Sequence, residues 1–325
     1  MKLQFLIIIL SAHFLVSTSI SKSGIGSNSF LQAKLPAPMM LPQVVQTKTK
    51  YYVISQGNSE YFRKQFNMAD NALGTDTQVI VYEFMPANAS LRKLSDANFV
   101  RSFFGSCING NKIYIAGGYD SEGKATSSLF EYDLTTKKWN EKKAMSIPRG
   151  RFALECIGGK LYAIGGENTN GSIEAYKPEA NEWGQINTKF IPANLKPMTK
   201  IESSGVIEDK ICLFNGTAFQ IYSPATNTIA EGPNPPFKSE YFDVAVFSKK
   251  LYVAGGSIDK SIDNGVYLYN AVNGTWSNVG KIPVPRYGAG LTYCNNMLIY
   301  LGGSKIDISN PAEPTNEIYI YIPSK

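Results

Sequence analysis

The stretch KIYIAGGYD, residues 112–120, returns with small changes along this chain of 325 residues. The other versions, from the closest to the weakest, are KLYAIGGEN at 160–168, KLYVAGGSI at 250–258, MLIYLGGSK at 297–305, KICLFNGTA at 210–218 and KYYVISQGN at 50–58. Six copies of one phrase, at intervals of 40 to 62 residues, predict a fold assembled from six repeated units.

Each copy shows the same order of features. An alternating apolar strand precedes the glycine pair, and a second strand that ends in tyrosine follows it. Tryptophan comes seven residues after that tyrosine in three copies: Tyr132 to Trp139, Tyr176 to Trp183, and Tyr269 to Trp276. This order of strand, diglycine, tyrosine-ended strand and tryptophan resembles the kelch repeat, over nearly the whole chain after residue 20.

Kelch repeats form β-propellers with one four-stranded blade per repeat, so the resemblance implies an all-β, six-bladed kelch-type β-propeller. The last copy ends at its third strand, NEIYIYIPSK at 316–325. The segment SNSFLQAKLPAPMMLP at 27–42 is similar to WNEKKAMSIP at 139–148, which holds the fourth strand of a complete copy. We therefore expect this N-terminal strand to close the last blade and to leave no free sheet edge.

The first twenty residues have the layout of a secretory signal peptide. Lys2 precedes a largely apolar run, and small residues suited to cleavage follow it. The run is short for a membrane span, although an uncleaved N-terminal anchor is the alternative. We expect residues 1–20 to be a signal peptide, residues 21–325 to form a single propeller, and the protein to be secreted and extracellular, without a membrane span. Four N-glycosylation sequons agree with export, and their acceptors are Asn88, Asn170, Asn215 and Asn273.

Signal cleavage would remove His13, the only histidine of the chain. Without imidazole, the mature protein has no Ser-His-Asp triad, no Cys-His pair and no histidine metal site. We therefore expect no metal, no cofactor and no histidine-based catalysis. The copper oxidase activity of some kelch proteins needs histidine ligands and is excluded on the same ground.

Four cysteines in a secreted chain leave two disulfides open as an alternative. Counting along the repeats places Cys107, Cys156 and Cys294 in one column of the first strand, and Cys212 in the tyrosine column of the second. Apolar residues fill the first-strand column in other copies, so buried free thiols are the expected state.

Residues upstream of the glycine pair are expected to meet around the propeller axis. Sixteen places before the first glycine lie Arg101, Arg149 and Arg286. Fourteen places before it lie Arg151 and Tyr241, and twelve places before it lies Asp243. These six residues are the ligand-binding candidates. In kelch proteins that bind acidic peptides, arginines at matching positions hold the carboxylates of the ligand, so the resemblance implies an anionic ligand. A Pro-Arg turn that only supports the fold is the alternative.

These observations predict a secreted, glycosylated binding protein, monomeric and not an enzyme, that recognises an extracellular protein or glycan through one face. The formal net charge of +6 is spread along the chain without a basic run, which argues against nucleic-acid binding. Insertions at 57–78 and 304–316 lengthen the first and last blades and are further contact candidates. The alternative function is a secreted sugar-converting enzyme resembling the kelch-type sialic acid mutarotases, with Asp243 and either Arg149 or Arg286 in its site.

Overall fold

The computed structural model describes residues 29–75, 77–187, 195, 197–258, 261–282, 284–305 and 311–323. The predicted signal peptide, with His13, lies outside these residues. The regular secondary structure of the described residues is antiparallel strands, together with one short helix, α1 (Glu60–Gln65), in the first insertion.

Six antiparallel sheets, or blades, follow one another around a central axis, which confirms the predicted six-bladed β-propeller. The innermost strand of each blade contacts the innermost strands of both neighbouring blades, so the ring is closed. In blades 1 to 5 the strands run outward from the axis in chain order. Blade 1 contains β2 (Gln43–Gln46), β3 (Tyr51–Ile54), β4 (Ile80–Met85) and β5 (Ser90–Asp96); blade 2 contains β6 (Gly105–Asn109), β7 (Lys112–Ala116), β8 (Leu129–Asp133) and β9 (Lys138–Lys142); blade 3 contains β10 (Ala153–Ile157), β11 (Lys160–Ile164), β12 (Ile173–Lys177) and β13 (Glu182–Ile186). Blade 4 contains β14 (Ser203–Ile207), β15 (Lys210–Phe214), β16 (Phe219–Ser223) and β17 (Thr228–Glu231), and blade 5 contains β18 (Glu240–Phe247), β19 (Lys250–Ile258), β21 (Gly265–Asn270) and β22 (Thr275–Lys281), with the short β20 (Ser261–Ile262) paired to β19.

Blade 6 is built from both ends of the chain. From the axis outward it contains β23 (Tyr287–Cys294), β24 (Met297–Ser304), β25 (Thr315–Tyr321) and β1 (Ser29–Met39). β1 pairs antiparallel with β25, and Ala33 lies opposite Ile318. This pairing confirms the closure of the last blade by the N-terminal strand.

The repeated glycine pair is a packing device between blades. Gly117 has a φ of 59°, and a Cβ atom there would lie 2.6 Å from the carbonyl oxygen of Arg149 in the next blade. The backbone N–H of Gly118 donates to that same oxygen at 2.7 Å. Gly255 repeats the arrangement, because its Cβ would lie 2.5 Å from the carbonyl oxygen of Arg286. Glycine is therefore required where one blade bears on the backbone of the next.

The tyrosine and tryptophan columns fill the spaces between blades, as expected. Tyr132 and Tyr176 are both 0% exposed. The ring centroid of Tyr132 lies 5.0 Å from that of Trp139, and the ring centroid of Tyr176 lies 5.1 Å from that of Trp183. The indole N–H of Trp139 donates to Ser95 Oγ of the preceding blade at 3.0 Å. The indole N–H groups of Trp183 and Trp276 likewise donate to backbone oxygens of the preceding blade, so each tryptophan joins two blades by apolar contact and by one hydrogen bond.

All four cysteines are free thiols, and three of them are buried. The strand register corrects the column in which the sequence placed them. Cys107 lies opposite Tyr114, whereas Cys156 lies opposite Leu161, one place further along its hairpin. The blade 3 residue that corresponds to Cys107 is therefore Glu155, which lies opposite the column tyrosine.

Candidate functional site

Two of the arginines predicted to bind a ligand lie inside the blades. Arg149 and Arg286 are both 0% exposed. Nη1 of Arg149 donates to the carbonyl oxygen of Gly165 at 2.7 Å, and Nη1 of Arg286 donates to that of Gly302 at 2.9 Å. Each side chain thus holds the glycine pair of its own blade, and neither guanidinium group reaches a surface where a ligand could contact it.

Strand residues of the same blade complete the surroundings of these arginines. Nη2 of Arg149 lies 2.9 Å from Glu174 Oε1, and Arg286 pairs with Glu317. Burial alone would raise the pKa of Glu174, but the hydrogen bond from Arg149 and further donors lower it. Arg101, in the corresponding place of blade 2, donates to the hydroxyl of the serine before β8 at 3.3 Å. The three arginines therefore brace their own blades, which is the supporting role left open by the sequence.

A ring of residues two places nearer to the strands borders the central channel, and we call the side of the propeller that carries it the mouth face. Phe103, Arg151 and Tyr241 have φ values of 51°, 53° and 57°. Left-handed backbone is uncommon for such residues and needs support from its surroundings. The N–H of Arg151 donates to Phe103 O at 3.1 Å, and the N–H of Ile201 donates to Arg151 O at 2.9 Å. These bonds between blades fix the ring.

Arg151 is the predicted arginine that the structure places at the mouth. Its guanidinium carbon lies 3.9 Å from the ring centroid of Phe103 and 5.6 Å from that of Tyr241. Its Nε atom lies 3.4 Å from Glu167 Oε1. Lys200, which the sequence analysis did not single out, places its Nζ atom 5.7 Å from the same Tyr241 ring. Two cations from neighbouring blades thus meet on one aromatic ring.

The first insertion packs against aromatic residues of the mouth. The motif EYFRKQF forms α1, whose Phe62 is 0% exposed and whose neighbour Phe66 is 6% exposed. The ring centroid of Phe66 lies 5.2 Å from that of Tyr241. The aromatic residues of this motif are therefore core residues, and its charged residues form the surface. The second insertion at 304–316 lies partly outside the described residues, and within it the N–H of Ala312 donates to Phe66 O at 3.0 Å.

A cavity of about 350 Å³ follows the axis between the innermost strands. Asp243 lines it and accepts hydrogen bonds from Ser203 Oγ, from the N–H of Val244 and from the N–H of Leu291, each at 2.8 Å. Burial raises the pKa of Asp243 to about 6. The described partners of Asp243 are thus a hydroxyl and two backbone amides, and none of the repeat arginines pairs with it.

Glu155 lines the same cavity and was missed by the sequence analysis. Its Oε1 atom accepts from Ser204 Oγ at 2.6 Å. Burial raises the pKa of Glu155 to about 7, and the charge of Asp243 adds to this effect. Counting back ten places from the first position of each glycine pair aligns Glu155 with Cys107, Gly205, Ala245 and Thr292, so a glutamate among uncharged residues was the available signal.

Three of the four sequon asparagines are exposed: Asn88, Asn170 and Asn273. Asn215 is half-buried, and its Oδ1 atom accepts from the N–H of Ala218 at 2.9 Å. The first three positions have room for a glycan, whereas Asn215 is held in its own turn.

Within the described ranges, no helix has the length and apolar character needed to cross a membrane. The same residues contain no group of three or more acidic, cysteine or histidine side chains that could hold a metal ion.

Comparison with known proteins identifies the repeat. Three segments match the Kelch motif: residues 101–146, 148–188 and 241–283. Alpha-scruin of Limulus polyphemus is 24% identical over 254 residues, which are 68% of this chain and 26% of that protein. Kelch-like protein 35 of Mus musculus is 25% identical over 240 residues, which are 69% of this chain and 38% of that protein. The chain therefore spans between about a quarter and two fifths of the length of these relatives.

Proposed function

We propose that this chain, a kelch-repeat scaffold for protein interaction, is a secreted, non-enzymatic module that binds an extracellular protein through its mouth face. The single observation that carries the proposal is the meeting of Arg151 and Lys200 on the ring of Tyr241, at the rim of the channel. Residues from separate blades form one rigid, mixed surface there. Such a surface on a fixed scaffold is suited to recognition.

The charges around this surface favour a protein over a polyanionic glycan. Lys200 lies 2.7 Å from Glu202 and 3.5 Å from Glu240, and Arg151 lies beside Glu167. Because carboxylates accompany both cations, the mouth is not a strongly positive site. A partner with both donors and acceptors matches it better than a sulfated chain does.

Partner capture from the native extracellular fluid tests the proposal. We expect a protein that is retained by the wild type to be lost with the double variant Arg151→Ala/Lys200→Ala. The matched control is Lys249→Ala/Lys250→Ala, which removes two exposed cations at the turn between β18 and β19, on the opposite side of the propeller. Equal retention by all three proteins would exclude the mouth face as the docking surface.

The exposed sequons support the extracellular part of the proposal. Expression in secreting cells should deliver the protein to the medium, and removal of residues 1–20 should keep it inside. Treatment with an N-glycosidase should lower its apparent mass, and Asn88→Gln, Asn170→Gln and Asn273→Gln should each remove part of that shift. A medium without the protein, or no shift at all, would contradict export with glycosylation.

The surroundings of Asp243 do not favour the sugar-converting alternative. That reading needs an arginine beside the acid to hold a sugar carboxylate. Arg149 and Arg286 are instead enclosed within their blades. We therefore propose the binding function and not the sugar-converting one.

A further inference from the structure

The channel differs in charge from the rest of the molecule. The whole chain has a formal net charge of +6. Among the described residues that line the channel, the acidic ones are Glu155, Glu202 and Asp243, and Arg151 is the one cation. Arg151 lies at the rim, where Phe103 and Glu167 hold it, so it does not neutralise the inner wall.

Glu155 has no cationic partner among the described residues. Its Oε1 atom accepts from Ser204, while no donor within the described chain reaches Oε2. On the neighbouring strand β6, the Ser106 hydroxyl also lines the cavity, is shielded from solvent and lacks a described hydrogen-bond partner. A buried hydroxyl such as that of Ser106 normally has a partner, whereas Glu155 is only partly buried and its free oxygen faces the channel. On adjacent inner strands, the two groups offer acceptor positions to a partner from outside the chain.

We propose that the channel binds a small organic cation with a primary ammonium group, with Glu155 as its counter-ion. The cavity of about 350 Å³ is far larger than a bare metal ion needs, and the described residues contain no metal-holding group. An ammonium group supplies the donors that a carboxylate and a hydroxyl can accept. The inference is independent of the proposed docking on the mouth face.

Calorimetric titration of the full mature protein with putrescine tests the proposal, with butanediol as the neutral analogue. We expect saturable binding of putrescine at about pH 8 and none of butanediol. Binding should weaken about tenfold or more at about pH 5, because the carboxylate that pairs with the ammonium group becomes protonated. The groups that face Glu155 are Asp243 on β18, the thiols of Cys107, Cys156 and Cys212, and the hydroxyl of Ser204. Of these, only Asp243 also titrates within this pH range.

The variant Glu155→Gln isolates the counter-ion, because glutamine can still accept from Ser204. We expect it to lose putrescine affinity about tenfold or more while keeping the wild-type circular dichroism spectrum. The matched control, Glu182→Gln, removes an exposed carboxylate from the outer strand β13 and should leave the affinity unchanged. No saturable binding by the wild type, or equal binding by Glu155→Gln, would overturn the proposal.

Discussion

Gly117 and Gly110 share one backbone conformation but differ in their surroundings. Their φ values are 59° and 60°, while a Cβ would meet Arg149 O at 2.6 Å at the first and nothing within 4 Å at the second. Alanine at either place carries the left-handed penalty of about 1–2 kcal/mol. We expect Gly117→Ala to lower the free energy of unfolding by about 2 kcal/mol more than Gly110→Ala does, because it also forces two blades apart.

Denaturant unfolding of both variants measures this difference. Because the two glycines have nearly the same φ, the backbone penalty is equal in both variants and cancels in the comparison. Equal losses of unfolding free energy would mean that glycine is needed there only for its left-handed backbone and that close packing between blades does not matter.

The raised pKa of Glu155 leads to a second prediction, on how the free energy of unfolding changes with pH. Its folded-state pKa of about 7 lies above the value of about 4.3 for an unfolded chain. A raised carboxyl pKa favours the folded state while the group is protonated, and this contribution is lost as pH rises through about 7. We expect Glu155→Gln to be about 1–3 kcal/mol more stable than the wild type at about pH 8, with a difference that shrinks towards about pH 4.

Thermal unfolding across this pH range checks the sign. Some pH dependence should remain in the variant, because the pKa of Asp243 is also raised, to about 6. A variant less stable than the wild type at high pH would show that the carboxylate has a counter-ion within the protein.

Single residues also show what the sequence can and cannot predict. Arg149 and Arg286 stand in a readable column, but their carboxylates, Glu174 and Glu317, occupy different places on the third strand of each blade. No regular spacing therefore indicated that these arginines are paired and enclosed. Glu155 was missed for a different reason: it lies ten places before Gly165, as Cys107 lies ten places before Gly117, but aligning the cysteines put Cys156 in that column instead.

At the scale of elements, α1 depends on the face that it covers. A helix of six residues is too short to be stable alone in water. Ser59 Oγ caps it by accepting from the N–H of Phe62 at 3.1 Å, and the Phe62–Phe66 spacing turns both rings to the mouth. These signals are in the sequence, but whether aromatic residues of an insertion face the core or solvent depends on tertiary contacts.

We expect Phe66→Ala to release this cover. The lost burial corresponds to about 3 kcal/mol, and the effect should be local, because α1 belongs to no blade. Limited proteolysis should cut the variant between residues 57 and 75 faster than the wild type, while the blades stay intact. Gln65→Ala, at an exposed neighbouring position, is the control. Equal cleavage rates of the Phe66→Ala variant and the wild type would show that the rings in this cluster do not hold the insertion.

At the scale of the whole molecule, the repeat was predictable and the channel was not. Six copies and one missing fourth strand were enough to predict the blades and their closure. The acidic channel instead arises where β10 and β18 of separate blades meet the axis, and each contributes one carboxyl group. A property assembled from distant strands has no local signature in the chain.

Ring closure by β1 leads to the last prediction. β1 contributes Leu35 and Met39, which are 2% and 4% exposed, and it covers the outer edge of β25. A chain that begins at Pro42 leaves this edge unpaired, so we expect it to aggregate or to unfold without a cooperative transition. A peptide of residues 27–41, added in trans, should restore a single transition in calorimetry and a monomeric elution volume, because it can pair with β25 as the covalent strand does. The control chain begins at Ser21. If the shortened chain unfolds at the same midpoint without the peptide, closure by the N-terminal strand does not stabilise the propeller.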